Sequence, residues 1–178
     1  MFSASTSTFG LTDESLTSKR INFMFALKQR NDGKINSHKW FFQGICQYLQ
    51  PEYTLMLDIG TRPNDFALTK LMKYMHANKN CGGSCGEIEV DFEPDETFCS
   101  YILKAAQYYE YKLSHSPDKG CEAFFGYNSV LPGAYSLFRW DAIQGGPLDK
   151  FFMLVNSDKD PTCAEANEYL AEDRVMCL

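Results

Sequence analysis

Tyr53-Thr54-Leu55-Met56-Leu57 is a short apolar run, bounded by Pro51 before it and Gly60 after it. Five residues are too few for a core helix, and the run reads as a buried strand. A strand of that kind needs covering layers, and the neighbouring sequence offers them. Upstream, the turn signal Asn31-Asp32-Gly33 precedes Ser37, which can cap a helix presenting Trp40, Phe41, Ile45, Tyr48 and Leu49 on one face until Pro51 stops it. Downstream, Pro63 stands near the start of a helix whose inner face is Leu68, Leu71, Met72 and Met75.

The same alternation continues along the chain. INFMFAL (21–27) and the glycine-rich CGGSCGEIEV (81–90) are consistent with strands. Thr97 to Lys112 carries Phe98, Tyr101, Ile102, Ala105, Ala106 and Tyr109 at i, i+3, i+4, i+7 spacing and is the clearest helix. YSLFRW follows Pro132-Gly133 as another strand, and a polar loop, 156–162, leads to a last helical segment. Strands interleaved with helices specify an α/β layered domain, in which ligands bind at the carboxyl ends of strands.

Bulk properties narrow the function. A chain of 178 residues supports one sizeable core. Its net charge of −6 argues against nucleic acid as the main partner. It leaves room for a nucleotide, because a divalent cation can sit between carboxylates and a diphosphate. No apolar stretch approaches the roughly 20 residues that cross a bilayer. The Ser/Thr-rich start lacks the basic and apolar blocks of a secretory signal, and residues 1–18 read as a disordered or out-of-context lead-in. Seven scattered cysteines, with Cys81 and Cys85 the closest pair, lack zinc spacing and read as reduced, mostly buried thiols.

Three places could carry chemistry. Asp58 directly follows the strand YTLML, with Gly60 and Thr61 leaving space for close approach of a ligand; it either holds a hard cation or caps the next element. Gly86-Glu87 and Pro132-Gly133 stand at strand ends, where glycine admits a sugar or phosphate or simply makes a turn. Glu172-Asp173-Arg174 pairs carboxylates with a cation, which suits a general base and equally suits an ordinary charged helix start.

Taken in order, KINSHKWFF, LMLDIGTRP, CGEI, YEYK, FGYNSVLPGAYSLFRW, GPLDKFF and YLAEDRVMC resemble the catalytic domain of chitin synthases, family 2 glycosyltransferases, most of all the fungal and oomycete branch. The resemblance runs from about residue 19 to 178. It implies a GT-A-like (Rossmann-like) mixed sheet flanked by helices, here the central part of the domain and incomplete at both ends. It implies transfer of N-acetylglucosamine from UDP-GlcNAc to the 4-hydroxyl of a growing β-1,4 chitin chain, with inversion, assisted by Mg²⁺ or Mn²⁺. Asp58 would engage the metal and, with Gly60, Thr61 and Glu87, the donor. Pro132, Gly133, Ala134, Tyr135 and Ser136 would form the acceptor loop. Asp173 would be the base, flanked by Glu172 and Arg174.

The family also carries an earlier strand with a uridine-binding acid, a Gln-x-x-Arg-Trp motif after Glu-Asp-Arg, and several transmembrane helices. These are not in the sequence; Arg139-Trp140 comes before Glu-Asp-Arg and lacks the Gln. The implied setting is the cytosolic face of the plasma membrane, with membrane attachment through those helices in a full-length enzyme that self-associates or acts alone. The 178-residue piece by itself is expected to be inactive and poorly stable. A hyaluronan- or cellulose-type synthase shares these roles with a different donor, and a non-catalytic α/β binding domain would make the acids structural.

Overall fold

The computed structural model describes residues 2–5, 20–30, 32–92, 97–153, 172–175 and 177. The polar loop at 156–162, Cys163 and most of the lead-in lie outside them. Two units are distinguished, Met1–Lys34 and Ile35–Leu178. In the first, strand β1 (Phe2–Ser5) pairs antiparallel with β2 (Arg20–Phe23), Phe2 opposite Phe23. Residues 2–5, within the stretch read as a lead-in, form this paired strand, and the strand expected at 21–27 is shorter and starts one residue earlier.

The second unit is built around a three-stranded sheet in the order β3 (Tyr53–Leu57), β5 (Tyr135–Arg139), β4 (Gly83–Cys85). Both pairings are antiparallel, with Leu55 opposite Leu137 and Ser84 opposite Leu137 on the other side. The central strand is buried along Tyr135, Ser136, Leu137 and Phe138. Helices complete an α/β arrangement: α1 (Gly33–Lys39), α2 (Gln47–Leu49), α3 (Ala67–Ala77), α4 (Phe98–Leu113), α5 (Gly120–Phe124), α6 (Trp140–Ile143), α7 (Gly146–Phe151) and α8 (Glu172–Val175).

The core is aromatic. Phe42, Phe138, Trp140, Phe151 and Phe152 pack with Ile35, Cys46, Leu131, Ile143 and Leu148. Phe42 stacks on Trp140 with ring centroids 6.3 Å apart and 4° between planes, and Phe151 meets Phe152 edge-on at 4.9 Å. The indole N–H of Trp140 donates to Gln50 Oε1 at 3.0 Å. Gln50 itself takes the left-handed conformation, φ 47°, that ends α2 ahead of Pro51.

Two helix faces differ from expectation. Ser37 lies within α1 rather than capping it, and the buried stripe is Ile35, Phe42 and Cys46, while Trp40, Tyr48 and Leu49 are exposed. Between α1 and α2 the chain runs through wide i→i+5 turns over Trp40–Cys46, with Gln47 N–H reaching Phe42 O. Those turns change the phase that a strict 3.6-residue period assumes. On α3, Met75 is fully buried but Leu68 and Met72 are exposed. Helix α4 begins where the spacing placed it, with Thr97 Oγ1 accepting the Ser100 amide at 3.4 Å, yet none of its residues is buried. The thiols also depart from the expected burial: Cys46 is buried and its thiol is pushed up to about 11 by that burial, whereas Cys99 and Cys121 are exposed.

Candidate active site

The loop that enters β5 joins three distant motifs. Pro132 O accepts the Tyr135 amide at 3.3 Å and the Ser136 hydroxyl, knotting the loop into a tight turn. The next three residues then each bond to a different motif. Gly133 N–H donates to Asp173 Oδ2 at 3.0 Å. Ala134 O accepts the Asp58 amide at 3.1 Å, and Tyr135 O accepts the Gly86 amide at 3.5 Å. Asp58, Gly86-Glu87 and Asp173, scattered through the chain, thus border one short loop.

Each junction has a local cause. Asp58 leaves the end of β3 in a turn closed by Thr61 N–H to Asp58 O at 3.1 Å. Gly60 occupies the third turn position with φ 95°, a conformation that L side chains rarely adopt, and a β-carbon there would meet nothing within 4 Å. The turn is therefore open at Gly60, two residues from the half-buried Asp58. At Gly133 the constraint is contact: a β-carbon would stand 2.6 Å from Asp173 Oδ1. Any other residue would have to push this carboxylate aside.

Glu87 is exposed beside Lys112 of α4, whose Nζ stands 2.6 Å from Glu87 Oε1 and 2.6 Å from Glu89 Oε1. The hydrogen bond from Lys112 holds the Glu87 carboxyl below its ordinary range, and the same pair of acids raises the Lys112 ammonium. Sequence reasoning gave Lys112 no role, although it ends the YEYK stretch. It also missed Glu122, which takes the Ser129 amide at 2.8 Å and the Ser129 hydroxyl at 2.6 Å and so anchors the approach to the loop.

Some assigned residues sit differently from expectation. Ser136 is fully buried and its hydroxyl is directed to Pro132 O, so it shapes the loop from inside instead of facing a ligand. Tyr135 is buried too, while Pro132 and Ala134 are half-buried. Arg174 is exposed, and among the described residues no ion pair joins it to Asp173. The side chain of Glu172 lies outside the described ones. Arg139, set aside as a motif residue, proves structural: its guanidinium donates to Met75 O at 2.7 Å, Cys81 O at 3.2 Å and Asn78 O at 3.5 Å.

One carboxylate at a strand end, an open turn after it, and a second carboxylate across a shared loop suit a reaction with a charged donor and a proton to remove. Among the described residues no three potential ligands gather into a metal site. Asp58 is the strand-end carboxylate here that could contribute to a hard cation shared with phosphate and water, the way Mg²⁺ is commonly held.

Comparison with known proteins decides the family. The pattern of the chitin synthase-like glycosyltransferase domain matches residues 2–178. The chain belongs to that family. Chitin synthase 2 of Mycosarcoma maydis is 41% identical over 161 residues, covering 89% of this chain and 15% of that protein. Chitin synthase 1 of Phytophthora sojae is 41% identical over 88% of this chain, and chitin synthase 1 of Fusarium oxysporum f. sp. lycopersici 41% over 89%. The chain spans less than a fifth of the length of these relatives. The family match begins at residue 2, so it takes in β1, which the sequence resemblance from residue 19 left out. Among the described residues no helix is long and apolar enough to cross a membrane.

Proposed function

We propose that this chitin synthase-family domain transfers N-acetylglucosamine from UDP-GlcNAc to the 4-hydroxyl of a β-1,4 chitin chain, as part of a full protein held at the cytosolic face of the plasma membrane. The observation that carries the reading is the loop at 132–136, which bonds to the backbone of Asp58 at one residue and to the carboxylate of Asp173 at the one before it. Inversion requires a base on one face of the anomeric carbon and a stabilised leaving group on the other. A loop bordered by both acids supplies a common support for the two.

In this reading Asp173 accepts the proton of the acceptor 4-hydroxyl while that oxygen attacks the anomeric carbon and the bond to the diphosphate breaks. The Gly133 amide fixes Oδ2, so the carboxylate is oriented before the acceptor arrives. Asp58 would hold Mg²⁺ or Mn²⁺ with the donor phosphates, and the ion would supply charge neutralisation for the departing UDP. Gly60 and Thr61 leave room for the diphosphate, and Glu87, tied to Lys112, borders the donor side.

The test is Asp173→Asn in membranes made from the complete coding sequence. Incorporation of labelled N-acetylglucosamine is expected to fall by about 10²-fold or more, the range for removing a general base. Retained synthesis would leave the acids structural. UDP-glucose offered in place of UDP-GlcNAc distinguishes a cellulose-type donor preference.

A further inference from the structure

The described part of helix α8 is Glu172–Val175, and helical backbone alone does not fix the direction of a side chain. Something outside it must set where Asp173 points. The Gly133 amide holds one carboxylate oxygen, but a single bond to a side chain leaves the helix free to rotate about it. A second pair of contacts removes that freedom. The Leu131 amide donates to Cys177 Sγ at 3.2 Å, and Cys177 Sγ donates to Asp173 O at 3.3 Å. The Cys177 amide meanwhile closes on Arg174 O at 3.0 Å.

From this we propose that Cys177 is a positioning residue for the reaction: its thiol bridges the loop amide of Leu131 to the main chain of Asp173 and sets the direction of the Asp173 carboxylate. This inference rests on Asp173 being the base. Leu131 is a good anchor because its side chain is buried in the aromatic core, only 6% exposed. Leu131 and Gly133 are two residues apart on one loop, and they grip α8 at its main chain and its side chain. Cys177 also packs against the core. Burial pushes its thiol up, so it keeps the proton that the bond to Asp173 O needs. The bridge requires a group that both donates and accepts, which a thiol or hydroxyl does and a methyl does not.

The experiment measures kcat and donor KM for UDP-GlcNAc turnover in membranes from the complete coding sequence, comparing wild type, Cys177→Ala, Cys177→Ser and Asp173→Asn. Cys177→Ala is expected to lower kcat about tenfold, the equivalent of one or two ordinary hydrogen bonds, with donor KM unchanged. Cys177→Ser should recover to within about threefold of wild type, since its hydroxyl can make both bonds. Wild-type kcat in Cys177→Ala overturns the proposal, as does a Ser variant no better than Ala, or a KM that rises in step with the loss of kcat. Should the Ala protein fail to accumulate, the Ser variant decides: near-normal kcat supports the bridge and a loss beyond about tenfold overturns it. Asp173→Asn separates the two ideas. If it stays active, the base assignment fails; if it is inactive while Cys177→Ala is normal, only the bridge fails.

Discussion

Helix α4 has sixteen residues and strand β5 has five, yet the shorter element organises the domain. Four of the five β5 residues are buried, the strand pairs on both edges, and its entry loop touches three motifs. No residue of α4 is buried, and Phe98 and Leu103 are 76% and 72% exposed. Its ties to the rest are made at its surface: Lys112 bridges Glu87 and Glu89, Lys104 Nζ donates to Asp91 O at 3.0 Å, and the Phe92 ring meets Tyr101 and Tyr108 at 5.7 and 6.1 Å. Periodicity reports that a helix can form and which side is apolar. It does not report whether another element covers that side, because covering depends on contacts distant in sequence.

The contrast can be broken most sharply by truncating one aromatic ring in each region. Phe138→Ala, at a 3% exposed site in the core, should destabilise the chain by roughly 3–5 kcal/mol in urea unfolding. Phe98→Ala should change stability by less than about 0.5 kcal/mol. Equal losses at both sites would mean that α4 is as deeply integrated as β5. A smaller effect, confined to activity, is expected at the loop. Gly133→Ala should lower kcat on the order of tenfold to a hundredfold, because the new methyl displaces the Asp173 carboxylate. Donor KM should hold, and a matching rise in KM would place the damage at the donor side instead.

The smallest effect concerns the polar tie of α4. Lys112→Met should let the Glu87 carboxyl titrate closer to the ordinary glutamate value, followed by carbon NMR of the side-chain carboxyl. The sign follows from linkage. A carboxyl lowered in the folded state stabilises the fold above its unfolded pKa, and that contribution fades as pH falls through the lowered value. Removing Lys112 should therefore matter at neutral pH and cease to matter in acid. An unmoved Glu87 midpoint would mean that the lysine contacts are not held in solution.

Much of the local structure was legible from residues alone. Pro51 and Gly60 bound β3, Thr97 caps α4, and Pro132-Gly133 precedes β5, because turn and cap chemistry is written in neighbouring positions. Helix faces were less legible. Helical spacing put Trp40 on the inner face, yet Phe42 and Cys46 face the core once the wide turns after α1 alter the phase. The site was legible as separate motifs whose order matched a family. That the Gly133 backbone packs closely on the Asp173 carboxylate, or that Cys177 lies between Leu131 and Asp173, depends on approaches across the fold that no spacing encodes.

The contacts of Arg139 bear on how this domain can drift in sequence. Its guanidinium reads main-chain carbonyls at positions 75, 78 and 81 and the hydroxyl of Tyr53, 3.3 Å from Nη1. A carbonyl is the same whichever side chain it carries. As far as this fastening is concerned, the three positions it grips are free to change identity, provided the backbone path survives. Position 139 has no such freedom, because lysine lacks the planar fork that reaches several acceptors at once. One residue thus absorbs a constraint that would otherwise be spread over three.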